Sequence, residues 1–268
     1  MSCLIGGDGI SATSIDKLYA FVNVERSRFD DMQSNTFALS MAHVGRYWSF
    51  LALIADRYEA VSTAVIADSE AFVAAAEAGR EYPDELVEKA RQLTDALHLE
   101  IESFYLFAKI LLDHIAHAIF YYFGPARGIR QFRHSVLVKK LKAYAAVKNL
   151  VIPDGFLAQA RALQTRVSNY RDHNVTHDNS PRTIYVTMWD SVEKTTRLAP
   201  SRLQPVEYGD EDRRSSSPGE LLAIIGEYIE GLVCLLEANR SKTGLTVIVC
   251  EDAAASESER PGLQSSQG

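Results

Sequence analysis

The spacing of hydrophobic and polar positions predicts long amphipathic helices over most of the chain. From Thr36 to about Ala78, apolar residues recur at intervals of three and four, which places them on one helix face. That stripe comprises Val44, Tyr47, Trp48, Leu51, Ile54, Ala55, Tyr58, Val61 and Val65. Further helices are predicted over residues 14–32, 135–149, 153–177 and 219–239.

A central helix is predicted between Pro83 and Pro125. Pro83, followed by Asp84 and Glu85, is typical of a helix start, and Gly124-Pro125 of a helix end. Within it, Ile101–Phe123 is apolar nearly all round, as in a helix surrounded by others. The stretch is long enough to cross a bilayer. Because it carries several charges, we expect a buried helix and no membrane partner.

A change of period predicts a small β element late in the chain. Ile184, Val186 and Met188 alternate with other residues, which is typical of a strand, and residues 195–199 could pair with it. We predict an all-α helical bundle with a β-hairpin, at about 183–199, inserted before the last helix. A short last strand could follow at 245–250. The predicted organisation is a flexible N-terminus (1–13), a single helical domain (14–250) and a disordered tail (251–268).

Composition and charge narrow the class of protein. The chain has 268 residues, of which 47% are hydrophobic, and a formal net charge of −7. An acidic protein is not drawn to nucleic acid by its overall field, so RNA contact would need a local basic patch. The three cysteines are scattered and no signal peptide is evident, so we expect a cytoplasmic protein. Cys234 is expected to be a small core residue of the last helix.

The best candidate for chemistry is the polar segment 170–178, YRDHNVTHD, where an apolar helix runs out. Arg171 could hold a phosphate through its planar fork, and His177 titrates near neutrality and could move a proton. Together they suffice for cleaving RNA without a metal ion. The same composition also suits an ordinary polar helix end, because His, Asn and Asp are favoured there.

Arg171, the polar Asp172 and then His177 resemble the motif of the HEPN superfamily, in which an Arg and a polar residue precede a His on a late helix. The resemblance covers roughly residues 83–240. It implies a helical domain that often dimerises and, in many members, cleaves RNA with neither metal nor cofactor. Arg171 and His177 would be the catalytic pair, with Asp172 orienting Arg171. Other members only bind nucleic acid, nucleotides or proteins.

Supporting residues are expected beside this motif. His173 and Asn174 lie between its ends, and Glu102, Lys109 and Asp113 share one stripe of the central helix. That stripe could face Arg171 and His177, or Lys109 and Asp113 could form an i,i+4 pair of purely structural value. On a straight helix Arg171 and His177 lie about 120° apart. Convergence therefore needs a distorted turn, a long Arg reach or a second subunit.

A metal site is an alternative interpretation of the polar residues. His173 and His177, with Asp113, His114 and His117, could form a metal site between helices. The Glu-x-x-His signature of such bundles is missing, so we predict no metal site.

A basic run with Phe132 and Tyr144 interleaved is the second alternative. It could contact RNA, or it could be an ordinary solvated face. The run comprises Arg127, Arg130, Arg133, His134, Lys139, Lys140 and Lys142.

Overall fold

The prediction of an all-α class is confirmed. The computed structural model describes residues 10–79, 83–127, 129, 133–169, 171, 182–184, 187–190, 195–198, 204–206 and 217–248. The α-helices in these ranges are α1 (Ile10–Arg26), α2 (Asp31–Glu77), α3 (Asp84–Phe123), α4 (His134–Lys148), α5 (Phe156–Leu163) and α6 (Pro218–Ala238). The predicted tail, 251–268, lies outside the described residues.

The predicted start of the central helix at Pro83 and its end at Gly124 are confirmed, and the last helix, predicted from residue 219, begins after Ser217. Pro83 directly precedes α3, and Gly124 ends it at a φ of 76°, a left-handed value that favours glycine. At the start of α6, the Ser217 hydroxyl accepts from the Glu220 N–H (3.2 Å), and the Glu220 carboxylate accepts from the Ser217 N–H (3.0 Å). This reciprocal pair is a capping box, which fixes where α6 begins.

The break between the first two helices lies earlier than predicted. We expected a helix up to about Met32, but α1 ends at Arg26 and α2 begins at Asp31. Phe29 is drawn out of the helix into the core, where its ring lies 5.5 Å from that of Phe37. The Asp30 carboxylate then accepts from the Gln33 N–H (2.8 Å), which satisfies a donor in the first turn of α2.

The long helices α2 and α3 form an antiparallel pair. Arg57 of α2 pairs with Glu100 of α3, whereas Asp68, further along α2, pairs with Lys89, earlier on α3. α6 packs against α1, α2, α3 and α5. By length and composition α3 could cross a membrane, but 56% of its most apolar window is buried inside the protein. The prediction that Ile101–Phe123 is a core helix is therefore confirmed.

A buried carboxylate ties the ends of three helices together. Glu25, at the end of α1, has no exposed surface. It accepts from the Tyr122 hydroxyl (2.7 Å) of α3 and pairs with Arg28 and Arg240. Two arginines and a hydroxyl replace the water that this carboxylate loses on burial.

Among the residues that the structure describes, four short strands lie between α5 and α6. β1 (Arg182–Ile184) pairs antiparallel with β4 (Gln204–Val206), and β2 (Thr187–Asp190) with β3 (Thr195–Leu198). Their connections and side chains lie outside the described residues, so the hairpin over 183–199 as a whole stays a prediction. After α6, Val247 makes an isolated antiparallel bridge with Phe29. Residues 245–248 therefore do not form the strand expected there.

One burial prediction was wrong. Cys234, expected in the core, is exposed on α6. The core face of this helix is carried by its neighbours, including Leu232, Val233, Leu235 and Leu236. When apolar residues occupy more than half of the circumference of a helix, at least one of them must face solvent. The periodicity of the sequence did not show which one.

Candidate functional site

The segment that leads to the predicted motif is a π-helical turn. α5 widens at its end into this turn, Gln164–Asn169, and Arg171 continues in the same conformation. The turn packs against α3 and α4, and Arg171 is half-buried. A π-turn inserted in a helix is uncommon and frequently marks a functional site. Asp172, His173, Asn174 and His177 lie outside the described residues, so their convergence on Arg171 stays a prediction.

The first residue of the π-turn is tied to the core through a histidine. The Gln164 side-chain oxygen lies 2.9 Å from His134 Nδ1, and the Tyr228 hydroxyl lies 3.1 Å from His134 Nε2. An amide oxygen only accepts, so Nδ1 carries the proton and Nε2 accepts from Tyr228. One neutral imidazole thus links α4, α6 and the turn that leads to Arg171.

His134 was expected to belong to the basic run, and this interpretation was wrong. Its side chain is fully buried at the start of α4. Burial lowers the pKa of His134 to about 4, and the nearby Lys109 ammonium acts in the same direction. The residue is therefore neutral at pH 7 and adds no charge to the surface.

The alternative that Lys109 and Asp113 form a structural pair is confirmed. Lys109 Nζ lies 2.7 Å from Asp113 Oδ1, and the same oxygen accepts from the His134 backbone N–H at 2.7 Å. The Asp113 carboxylate thus holds the start of α4 against α3. Glu102, three turns before Asp113 on α3, is half-buried. His177 lies outside the described residues, so the expectation that this stripe faces it stays a prediction.

The remaining members of the basic run form an exposed surface. It consists of Arg127, Arg133, Lys139, Lys140 and Lys142, on the α3–α4 connection and on α4. Arg130 and Phe132 lie outside the described residues. Tyr144, expected to interleave with these cations, is buried instead and donates to the Gly124 carbonyl (2.7 Å). It is therefore not available to stack on a base.

A groove of about 390 Å³ lies between α2 and α3. We call it the histidine groove, because three of the chain's seven histidines line it. Its lining consists of Thr36, Leu39, Ser40, His43, Ile110, Asp113, His114, His117 and Tyr121. Asp113 is shared with the polar network described above. The groove and the π-turn are therefore joined through Asp113, His134 and Gln164.

Stacked rings form one wall of the groove. His114 stacks on His43, with ring centroids 5.0 Å apart and an angle of 11° between the planes. It also stacks on Tyr47, at 4.9 Å and 21°. Burial, then the neighbouring His43 and His117, lower the pKa of His114. A neutral His114 avoids repulsion within the cluster and keeps a flat, uncharged face.

Sequence reasoning missed His43. It lies one helical turn before Tyr47 and so shares its face of α2, which was the available signal. The partners of His43 are on α3, more than sixty residues away, and no local pattern reports that pairing. His114 and His117 were singled out, but only as metal ligands.

The proposed bundle metal site receives no support from the described residues. Among them, no group of three or more His, Cys, Asp or Glu is arranged to hold a metal ion. The stacking of His43 on His114 does not favour a metal bound between these two rings either. An imidazole binds a metal through a lone pair in the ring plane, and parallel rings aim these lone pairs alongside one another. The other two histidines of that hypothesis, His173 and His177, lie outside the described residues.

No protein-family model, curated protein sequence or solved structure matches this chain.

Proposed function

We propose that this chain is a HEPN-like protein that binds RNA and cleaves it without a metal ion. Arg171 would hold the phosphate and stabilise the charge that develops on it. His177 would take the proton of the 2′-hydroxyl or supply one to the leaving oxygen. Asp172 would orient Arg171. The active form would be a homodimer that brings two motifs together.

The observation that carries this proposal is the setting of Arg171. Its side chain is half-buried at the end of a π-turn, and that turn is tied to the core through Gln164 and His134. A catalytic cation must be held in place rather than left to move in solvent. The wide turn is also a distortion of the kind that a convergence of Arg171 and His177 requires.

The exposed cations on α4 and on the connection before it would position the RNA. Arg127, Arg133, Lys139 and Lys140 are exposed in a protein with a net charge of −7. Contacts of this type go to phosphate, so they add affinity without reading sequence.

A second candidate is a helical domain of the same kind that binds RNA, a nucleotide or a protein without cleaving. It is favoured by the roles of Lys109 and Asp113. Each is engaged by the other, and Asp113 also holds the His134 N–H. Residues expected to support catalysis thereby have a sufficient structural explanation.

Cleavage of a mixed RNA substrate in EDTA tests the first candidate. We expect the wild type to cleave, and His177→Ala and Arg171→Ala each to lose about 100-fold or more in rate. Arg161→Ala, which removes an exposed arginine of α5, is the matched control and should cleave normally. If His177→Ala cleaves RNA at the same rate as the wild type, this mechanism is refuted. RNA binding without cleavage by the wild type would favour the second candidate.

A further inference from the structure

We propose that the histidine groove between α2 and α3 binds a nucleotide, whose base stacks on the ring of His43. This site is separate from Arg171, and the inference holds whether or not the chain cleaves RNA. Four features of the groove carry it: the stacked rings, the groove's size, its hydroxyl groups and its charge.

The rings already form the start of a stack. His43, His114 and Tyr47 are nearly parallel, with neighbouring centroids 4.9–5.0 Å apart. His114 is already stacked on both other rings, and Tyr47 does not line the groove, so the stack is open to a ligand at His43. A flat ring that continues such a stack gains contact over its whole face. Nucleobases stack on aromatic side chains in this way, whatever their sequence.

The size and the apolar lining suit a single base with its sugar. A volume of about 390 Å³ lies in the range of small-ligand sites, roughly 300–1,000 Å³. Leu39, with 59% of its surface exposed, and the half-buried Ile110 offer apolar contact. The fold leaves the apolar side chain of Leu39 exposed to water, and a bound base would bury it.

Two hydroxyl groups could read the edge of a base. Thr36 is exposed at the groove, and its hydroxyl donates back to the Met32 carbonyl, which leaves its oxygen lone pairs able to accept. The Ser40 hydroxyl oxygen is shielded from solvent and has no hydrogen-bond partner among the described residues. A buried hydroxyl without a partner is costly, and rotation about χ1 could bring it to a ligand in the groove.

The charge of the groove favours a base over a bare anion. The lining that the structure describes contains no lysine or arginine, and its carboxylate, Asp113, is paired with Lys109, so the lining offers no permanent positive charge to a phosphate. The lowered pKa of His114 keeps the central ring neutral at pH 7. The exposed His117 is the lining residue best placed to meet a phosphate from the solvent side. A nucleotide would thus be held mainly through its base.

Calorimetric titration of the full chain with AMP, GMP, CMP and UMP tests this inference, with ribose 5-phosphate and Zn²⁺ as comparison ligands. We expect saturable binding of at least one nucleotide and much weaker binding of ribose 5-phosphate. His43→Ala should weaken nucleotide binding about tenfold or more, because it removes the ring on which the base would stack. His43→Phe keeps a flat ring and should bind within about threefold of the wild type. His98→Ala, a histidine of α3 outside the groove, is the matched control.

Other outcomes would overturn the inference. They are the absence of nucleotide binding at millimolar concentration, equal binding of ribose 5-phosphate, and unchanged affinity in His43→Ala. Zn²⁺ binding that needs His43 and His114, without nucleotide binding, would assign the groove to a metal instead. If His43→Ala melts well below the wild type, Leu39→Ser takes its place, because Leu39 lines the groove and is 59% exposed.

Discussion

The Asp113 carboxylate of α3 accepts a hydrogen bond from the backbone N–H of His134, at 2.7 Å, across twenty-one residues of sequence. The same oxygen holds the Lys109 ammonium. One side chain therefore neutralises a buried cation and satisfies an N–H in the first turn of α4, which has no partner within that helix. It also lines the histidine groove, so the polar core and the groove share a residue.

Replacing Asp113 should destabilise the fold. Asp113→Asn keeps an oxygen for the His134 N–H but leaves Lys109, which is 9% exposed, without its anion. We expect a loss of about 2 kcal/mol in the free energy of unfolding, measured by urea titration at pH 7. Asp95→Asn, in an exposed pair with Arg91, should change stability by less than about 0.5 kcal/mol. An equal effect of both substitutions would show that burial of the Lys109 pair adds nothing.

The buried His134 should make stability depend on pH. Its folded-state pKa of about 4 lies below the ordinary value, about 6.5, because burial disfavours the charged form. Between these values the unfolded chain binds the extra proton, so stability falls as the pH decreases from about 6.5 to about 4. The loss from this residue should reach about 3 kcal/mol and then level off.

Urea titrations from pH 7.5 to pH 4, comparing the wild type with His134→Gln, measure that contribution. Glutamine does not titrate, so the variant should lose less stability than the wild type over this range. His98→Gln controls for the removal of a histidine elsewhere on the chain. Parallel curves for the wild type and His134→Gln would contradict a neutral, buried His134.

The exposed cations of α4 should set the salt dependence of RNA binding. In the triple variant Arg133→Ala/Lys139→Ala/Lys140→Ala, we expect weaker binding to single-stranded RNA of any sequence. The slope of log affinity against log salt should fall by about 2, because each phosphate contact adds about 0.7. Fluorescence anisotropy at several salt concentrations measures both quantities.

A control of equal charge is Lys17→Ala/Lys89→Ala/Arg91→Ala, on α1 and α3. These three cations are exposed; Lys17 pairs with Glu230, Arg91 with Glu88 and Lys89 with the buried Asp68. The control should retain most of the wild-type affinity and slope. If both triple variants lose the same slope, RNA binding follows net charge and α4 is not its surface.

Sequence alone determined the helical class and most helix boundaries. The interval of three and four along α2, the proline before α3 and the glycine after it are signals between near neighbours. Local backbone preferences and capping hydrogen bonds act over these short separations. The i,i+4 pair of Lys109 and Asp113 was predictable for the same reason. The break at Phe29 was not, because a distant aromatic cluster competes there with helix continuation.

Only the tertiary structure decided which polar residues meet. His134 read as a surface cation beside Arg133 and Lys139, yet it is buried between Gln164 and Tyr228, which lie thirty and ninety-four residues away. The groove likewise needs His43 beside His114, a contact set by the antiparallel register of α2 on α3. Burial and charge depend on what packs against a side chain. That information resides in contacts between distant segments, which a local pattern does not carry.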